Sequence, residues 1–149
     1  MAILDEIRRY WDDDAPTYDH APGHRPTSAA VQAAWTAAVA ALLPAPPAAV
    51  LDCGAGTGFL SLIAARLGHR VTALDLSPQM LERLRATAGA EGLDVTVVTG
   101  PAHEPPEGFD VVMERHVLWT LPDPVAALRA WRRAGRRPDR ARSTGRGAP

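Results

Sequence analysis

Three glycines in five residues, directly after a short apolar run, set the tightest limit on this chain. The run is Ala49-Val50-Leu51-Asp52-Cys53, and the turn is Gly54-Ala55-Gly56-Thr57-Gly58. Glycine reaches positive φ without strain, and its missing Cβ lets another group touch the backbone. A helix opening near Thr57 aims its unpaired amides at the same space. A strand, a glycine turn and a helix in that order read as a nucleotide-type site. The spacing departs from the dinucleotide fingerprint G-x-G-x-x-G, because Phe59 holds the sixth position and the third glycine comes one residue early. A P-loop is excluded, since no Walker lysine follows and the chain contains no lysine at all.

The rest of the sequence alternates strand and helix around that turn. A helix is expected over 3–11, then a polar, turn-rich stretch to Pro26. Thr27 or Ser28 caps a second helix ending near Leu43, before Pro44-Ala45-Pro46-Pro47. Strands are expected at 49–53, 70–75, 94–99 and 109–113. Helices are expected at 57–67, where Gly68 ends the run, at 78–88 and at 124–134. Ser77-Pro78 and Asp123-Pro124 each give a cap followed by proline at the first helical position. Apolar strands separated by helices imply an α/β fold with a doubly wound parallel sheet, which binds ligands beyond the carboxyl ends of its strands. Trp119, at helical spacing from Arg115, is expected in the core. Asp12, Asp13 and Asp14 are expected to form a solvated acidic cluster.

The pattern D-x-G-x-G-x-G over Asp52–Gly58 resembles the class I S-adenosylmethionine (SAM)-dependent methyltransferases. Asp75 closes the second strand, seventeen residues after Gly58. The segment from Phe109-Asp110-Val111-Val112 to Leu121-Pro122-Asp123-Pro124 is similar to the type-11 methyltransferase group, as is Tyr10-Trp11…Ala15…Tyr18-Asp19. The resemblance spans roughly residues 8–132 and implies a Rossmann-like sheet in the order 3-2-1-4 under an N-terminal helical lid. It implies that Asp52, Gly54, Ala55, Gly56 and Gly58 cradle SAM and that Asp75 accepts the ribose hydroxyls. The alternative for Asp75 is to cap the next helix, although Ser77 is better placed for that. Leu76 and Met80 fall where the family packs on adenine; ordinary helix packing is the alternative for Met80. Where the family carries Gly-Asp-Ala, this chain has Gly100-Pro101-Ala102, which leaves the Ala102 amide as the contributor. Glu114 is expected to bind the methionine ammonium or to pair with Arg115.

Methyl transfer from a sulfonium is an in-line displacement, so positioning and water exclusion supply much of the rate. A base is needed where the acceptor must lose a proton. His116, after the fourth strand, is the candidate base. Tyr18, His20 and His24 are the candidate substrate and lid residues.

Charge is distributed unevenly. The formal total is −1, yet residues 1–128 carry 8 Arg against 16 acids, and residues 129–149 carry 8 Arg against Asp139 alone. The resemblance stops near Arg133, where the family continues into a fifth strand. The expected division is a helical lid over 1–46, a SAM-binding core over 47–133, and an Arg-rich, disordered tail over 134–149. The abrupt change suggests a C-terminally truncated or frameshifted relative. The tail has no aromatic interleaving, which argues against nucleic-acid contact, and a small-molecule substrate is expected. A single cysteine excludes an intramolecular disulfide framework and a multi-cysteine zinc site, and no metal site is expected. No signal-peptide pattern and no apolar run of about 18 residues appear, so a cytoplasmic protein without a membrane span is expected. The competing readings are a non-catalytic module that retains cofactor binding, and an NAD-binding oxidoreductase.

Overall fold

The structure is a computed structural model in which residues 2–135 are described. The first helix, α1 (Ala2–Asp14), runs almost a turn past its expected end and leads into a 3-10 turn at Tyr18–His20. Helix α2 (Ala29–Leu42) follows, with Ser28 rather than Thr27 as its cap. The sheet is built from β1 (Ala49–Cys53), β2 (Arg70–Asp75), β3 (Val95–Thr99) and β4 (Val111–Glu114). Helix α3 (Phe59–Arg66) joins β1 to β2, and α4 (Pro78–Glu91) joins β2 to β3. After β4 come a 3-10 turn at Leu118–Thr120 and α5 (Pro124–Ala134).

The strand order is β3-β2-β1-β4, and every pair is parallel. The pairing register sets Asp52 beside Ala73 and Met113, so the ends of β1, β2 and β4 emerge together. β4 starts two residues later than the sequence suggests, because the chain before it is tied elsewhere. The amides of Gly108 and Phe109 donate to the Ala134 carbonyl at the end of α5, and only from Asp110, which donates to Ala49 of β1, does the chain turn to the sheet.

Local signals explain most helix ends. Ser77 Oγ accepts from the Met80 amide, and Asp123 Oδ1 accepts from Ala126, each with proline at the first turn. Gly68 and Gly92, at φ +95 and +66, take the left-handed conformation that follows a helix end. In α5, Ala127, Ala130, Trp131 and Ala134 are the buried positions, at i, i+3, i+4 and i+7.

Alternation along the strands sorts the core onto two faces. Leu51, Cys53 and Leu74 pack under α5. Val50, Val71 and Ala73 point the other way, against α3 and α4. Leu51, Ile63, Leu74 and Leu84 are fully buried, which is worth roughly 1.5–3 kcal/mol for each side chain. Helix α2 lies outside α3 and packs Val39 against Leu60 and Ile63. No described helix is long and apolar enough to cross a membrane.

Trp119 is not in the core. It sits in the 3-10 turn, 79% exposed, because the chain does not continue helically from Arg115. The expected tail begins at 134, yet Ala134 is buried in α5; residues 136–149 lie outside the described part.

Candidate active site

The three glycines of the turn have φ +68, +56 and +97 and do three different jobs. A Cβ on Gly54 would fall 2.1 Å from Val117 Cγ2, so this glycine lets the loop after β4 close on the loop after β1. A Cβ on Gly58 would fall 2.1 Å from Leu84 Cδ1, so this one lets α3 and α4 pack. Gly56 alone of the three has room for a Cβ, which would meet Tyr18 Cε1 at 4.0 Å. The amides of Gly54 and Ala55 turn back to the Leu74 carbonyl, at 2.7 and 3.0 Å. These amides hold the turn to the sheet rather than pointing into the cleft.

Asp75 closes β2 beside this turn. Its Oδ2 accepts from the Gly56 amide and its Oδ1 from the Ser77 amide, both at 2.8 Å. Ser77, not Asp75, caps α4. Burial raises the Asp75 pKa, and the amides of Ser77, Gly56 and Leu76 oppose that shift. At the end of β1, Asp52 is only 2% exposed and accepts a 2.7 Å bond from Ser61 Oγ. Burial pushes its pKa up to about 7; the Ser61 hydroxyl counters this, and the charges of Asp75 and Glu114 add to it. Next to it, burial pushes the Cys53 thiol up to about 12. Glu114, closing β4, caps the following turn through the Val117 and Leu118 amides, at 3.0 and 3.3 Å. Its carboxylate therefore has a structural partner, and Arg115 is engaged elsewhere. Asp52, Asp75 and Glu114 thus form an acidic end to the sheet, in which Asp52 feels both neighbours. A cationic ligand relieves that repulsion, whereas an anionic one worsens it.

The N-terminal segment folds over this end. Trp11 and Tyr18 meet edge to face at 6.1 Å, and His24 stacks on Tyr18 with ring centroids 4.0 Å apart. His24 Nδ1–H donates to the Tyr18 carbonyl at 2.6 Å. Burial raises the Tyr18 pKa, and the Arg115 charge partly offsets this. The Arg115 guanidinium donates to the Gly23 carbonyl and lies 3.7 Å above the Phe59 ring. Asp12, expected in a solvated cluster, instead receives the Ser77 hydroxyl and sits 3.3 Å from the Gln79 amide. Thr57 Oγ1 donates to Asp19 Oδ1 at 2.6 Å.

Tyr18, His24, Asp52, Gly54, Ala55 and His116 line one narrow cleft of about 30 Å³, together with Thr57, Phe59, Leu60 and Arg115. His116 is exposed and holds a left-handed φ of +66 at its rim. A second, apolar groove of about 270 Å³ runs between α2 and β4 past Trp35, Leu42 and Met113, and shares Leu60 and Arg115 with the first. Of the other candidates, Leu76 is half-buried and Met80 is buried in α4. The Ala102 carbonyl receives the Trp131 indole N–H at 2.6 Å. His20 is exposed and does not line the cleft. Sequence reasoning missed Arg115, Thr57 and Asp19 as site residues.

A parallel doubly wound sheet, with a glycine turn and an acid closing the second strand, defines a Rossmann-like site for a nucleoside-bearing ligand. Residues 51–137 match the type-11 family model described as a methyltransferase domain, and the chain belongs to that family. The ubiquinone biosynthesis O-methyltransferase of Xanthomonas campestris pv. campestris (strain B100) is 39% identical over 126 residues, covering 82% of this chain and 49% of that protein. A SAM-dependent methyltransferase of Thiobacillus denitrificans, solved with S-adenosylhomocysteine, is 25% identical with a TM-score of 0.63, covering 85% of this chain and 50% of that one. The magnesium protoporphyrin IX methyltransferase of Synechocystis PCC 6803, solved with bound SAM, shares the fold at a TM-score of 0.69 and 22% identity, over 86% of this chain and 69% of that one. The chain spans about half the length of the curated relatives it matches.

Proposed function

We propose that this chain binds S-adenosylmethionine and transfers its methyl group to a small-molecule acceptor in the cytoplasm. The observation that carries this reading is the 2.8 Å bond from the Gly56 amide to the Asp75 carboxylate, which joins the open glycine to the acid that closes β2. The residues present fit that cofactor. Gly56 has room beside Tyr18 where a Cβ would stand, and the acidic strand ends suit a ligand bearing a sulfonium and an ammonium.

In this reading Asp75 holds the ribose hydroxyls, and Leu76 and Met80 border the adenine, with the Ala102 amide beside them. Asp52, Glu114 and the turn from Gly54 through Ala55 and Gly56 to Gly58 surround the methionine portion. The bound cofactor supplies an activated methyl on a cationic sulfur. Residues 1–46 act as the lid and 47–133 as the core. Tyr18 and His24 cover the cleft and exclude water, while His20 lies on the outer face of the lid. His116 takes the acceptor proton where the acceptor is a hydroxyl.

Calorimetry tests the site directly. SAM binding is expected for the purified chain and is lost in Gly56→Arg and Asp75→Ala; unchanged affinity in both variants refutes the site. Transfer of labelled methyl into metabolite extracts tests catalysis separately. Binding without turnover would favour a module that retains cofactor alone.

A further inference from the structure

We propose that Asp19 is a positioning residue that locks the N-terminal lid onto the glycine turn through Thr57, so that cofactor leaves only when this bond breaks. The proposal rests on the cofactor reading above and adds a residue pair that controls exchange at that site.

Thr57 stands between Gly56 and Gly58 and is 2% exposed. A threonine at the mouth of a helix ordinarily caps it. Here it does not, because α3 is capped by Gly58 with no side-chain bond. The Thr57 hydroxyl is instead given to Asp19 Oδ1 at 2.6 Å, across 38 residues of sequence. The other Asp19 oxygen pairs with Arg25 Nη2 at 2.8 Å. Asp19 therefore ties three points together: the glycine turn, its own 3-10 turn, and the chain after His24. Tyr18 precedes Asp19 in that turn, and its ring is what a Cβ on Gly56 would meet first. Fixing Asp19 fixes the Tyr18 ring over the open glycine.

The other ties of this segment reach different places. Asp12 holds the end of α1 to the start of α4, and Arg115 holds Gly23 to the loop after β4. Of the side-chain bonds made by this segment among the described residues, the Asp19 bond is the one that ends on the glycine turn itself. A donor that is buried on the turn side and an acceptor that is anchored by a cation make this a charge-assisted bond, about twice as strong as a neutral one.

The test is stopped-flow dissociation of S-adenosylhomocysteine from the full chain, with calorimetry as its companion. Thr57→Val and Asp19→Ala are each expected to speed dissociation roughly tenfold, with a smaller effect on association. Thr57→Ser keeps the hydroxyl and is expected to restore wild-type dissociation. The double variant is expected to be no faster than either single one, because both remove the same bond. Hydrogen exchange guards against a trivial folding defect: amides of residues 18–20 are expected to exchange faster in Thr57→Val, while those of β1 and β2 are unchanged. Dissociation within twofold of wild type in both variants, additive effects, or faster exchange throughout the sheet would overturn the latch. A wild-type chain that binds no S-adenosylhomocysteine overturns the cofactor reading, and the latch with it. Tight wild-type binding with unaltered dissociation in the variants sinks the latch alone.

Discussion

At the scale of single residues, Asp52 is the group whose environment most changes its chemistry. It is a carboxyl sealed in the central strand, with one hydroxyl as its side-chain partner. Its folded pKa of about 7 lies above the unfolded value of 3.8, so the folded chain retains a proton that the unfolded chain gives up. The stability contributed is complete below about pH 4 and is lost as pH rises to about 7. Asp52→Asn keeps an acceptor for Ser61 without the charge. Its thermal midpoint is expected to exceed that of wild type at pH 8, with the gap closing toward pH 4; parallel profiles would contradict the burial argument. The sequence marked Asp52 and the three glycines as a ligand cradle. The fold divides that work, since Gly54 and Gly58 are required by Val117 and Leu84 and Gly56 alone of the three has room for a Cβ. Those neighbours come from the loop after β4 and from α4, and no local pattern announces them.

Elements were legible wherever a local signal set their ends. Ser77-Pro78, Asp123-Pro124 and Gly68 mark helix ends through bonds made within a few residues, and the structure uses all three. The acidic end of α1 was not legible, because the Asp12–Ser77 bond spans 65 residues. Ser77 consequently has two partners: it accepts from Met80 at 3.1 Å and donates to Asp12 at 2.5 Å. Ser77→Ala is expected to cost roughly 1–2 kcal/mol in urea unfolding, from the lost cap and from an acceptor left without its donor. Ser28→Ala removes a single exposed cap bond of 3.3 Å and is expected to cost less than about 1 kcal/mol. Equal costs would show that the Asp12 contact adds nothing. Trp119 illustrates the opposite failure: helical spacing read from the sequence has no force where the chain has left the helix.

Across the whole molecule, parallel pairing followed from the strand–helix alternation and strand order from the family resemblance, while the lid contacts followed from neither. The lid reaches the site through Arg115, Asp19 and Thr57, residues that sit on three different loops. Among the described residues β4 pairs with β1 alone. β1, by contrast, is flanked on both sides and carries the only cysteine of the chain, with no surface exposed. At pH 8 a thiol pushed up to about 12 is ionised in roughly one molecule in ten thousand, and the thiolate is the form that reacts. Cys53 is thus a built-in clock for the opening of the central strand. A thiol reagent is expected to label it at the rate at which β1 leaves the sheet, slowly in buffer and steeply faster with urea. Saturating S-adenosylhomocysteine is expected to slow that clock by holding the strand ends together, and rapid labelling under native conditions would mean that β1 opens far more freely than its burial implies.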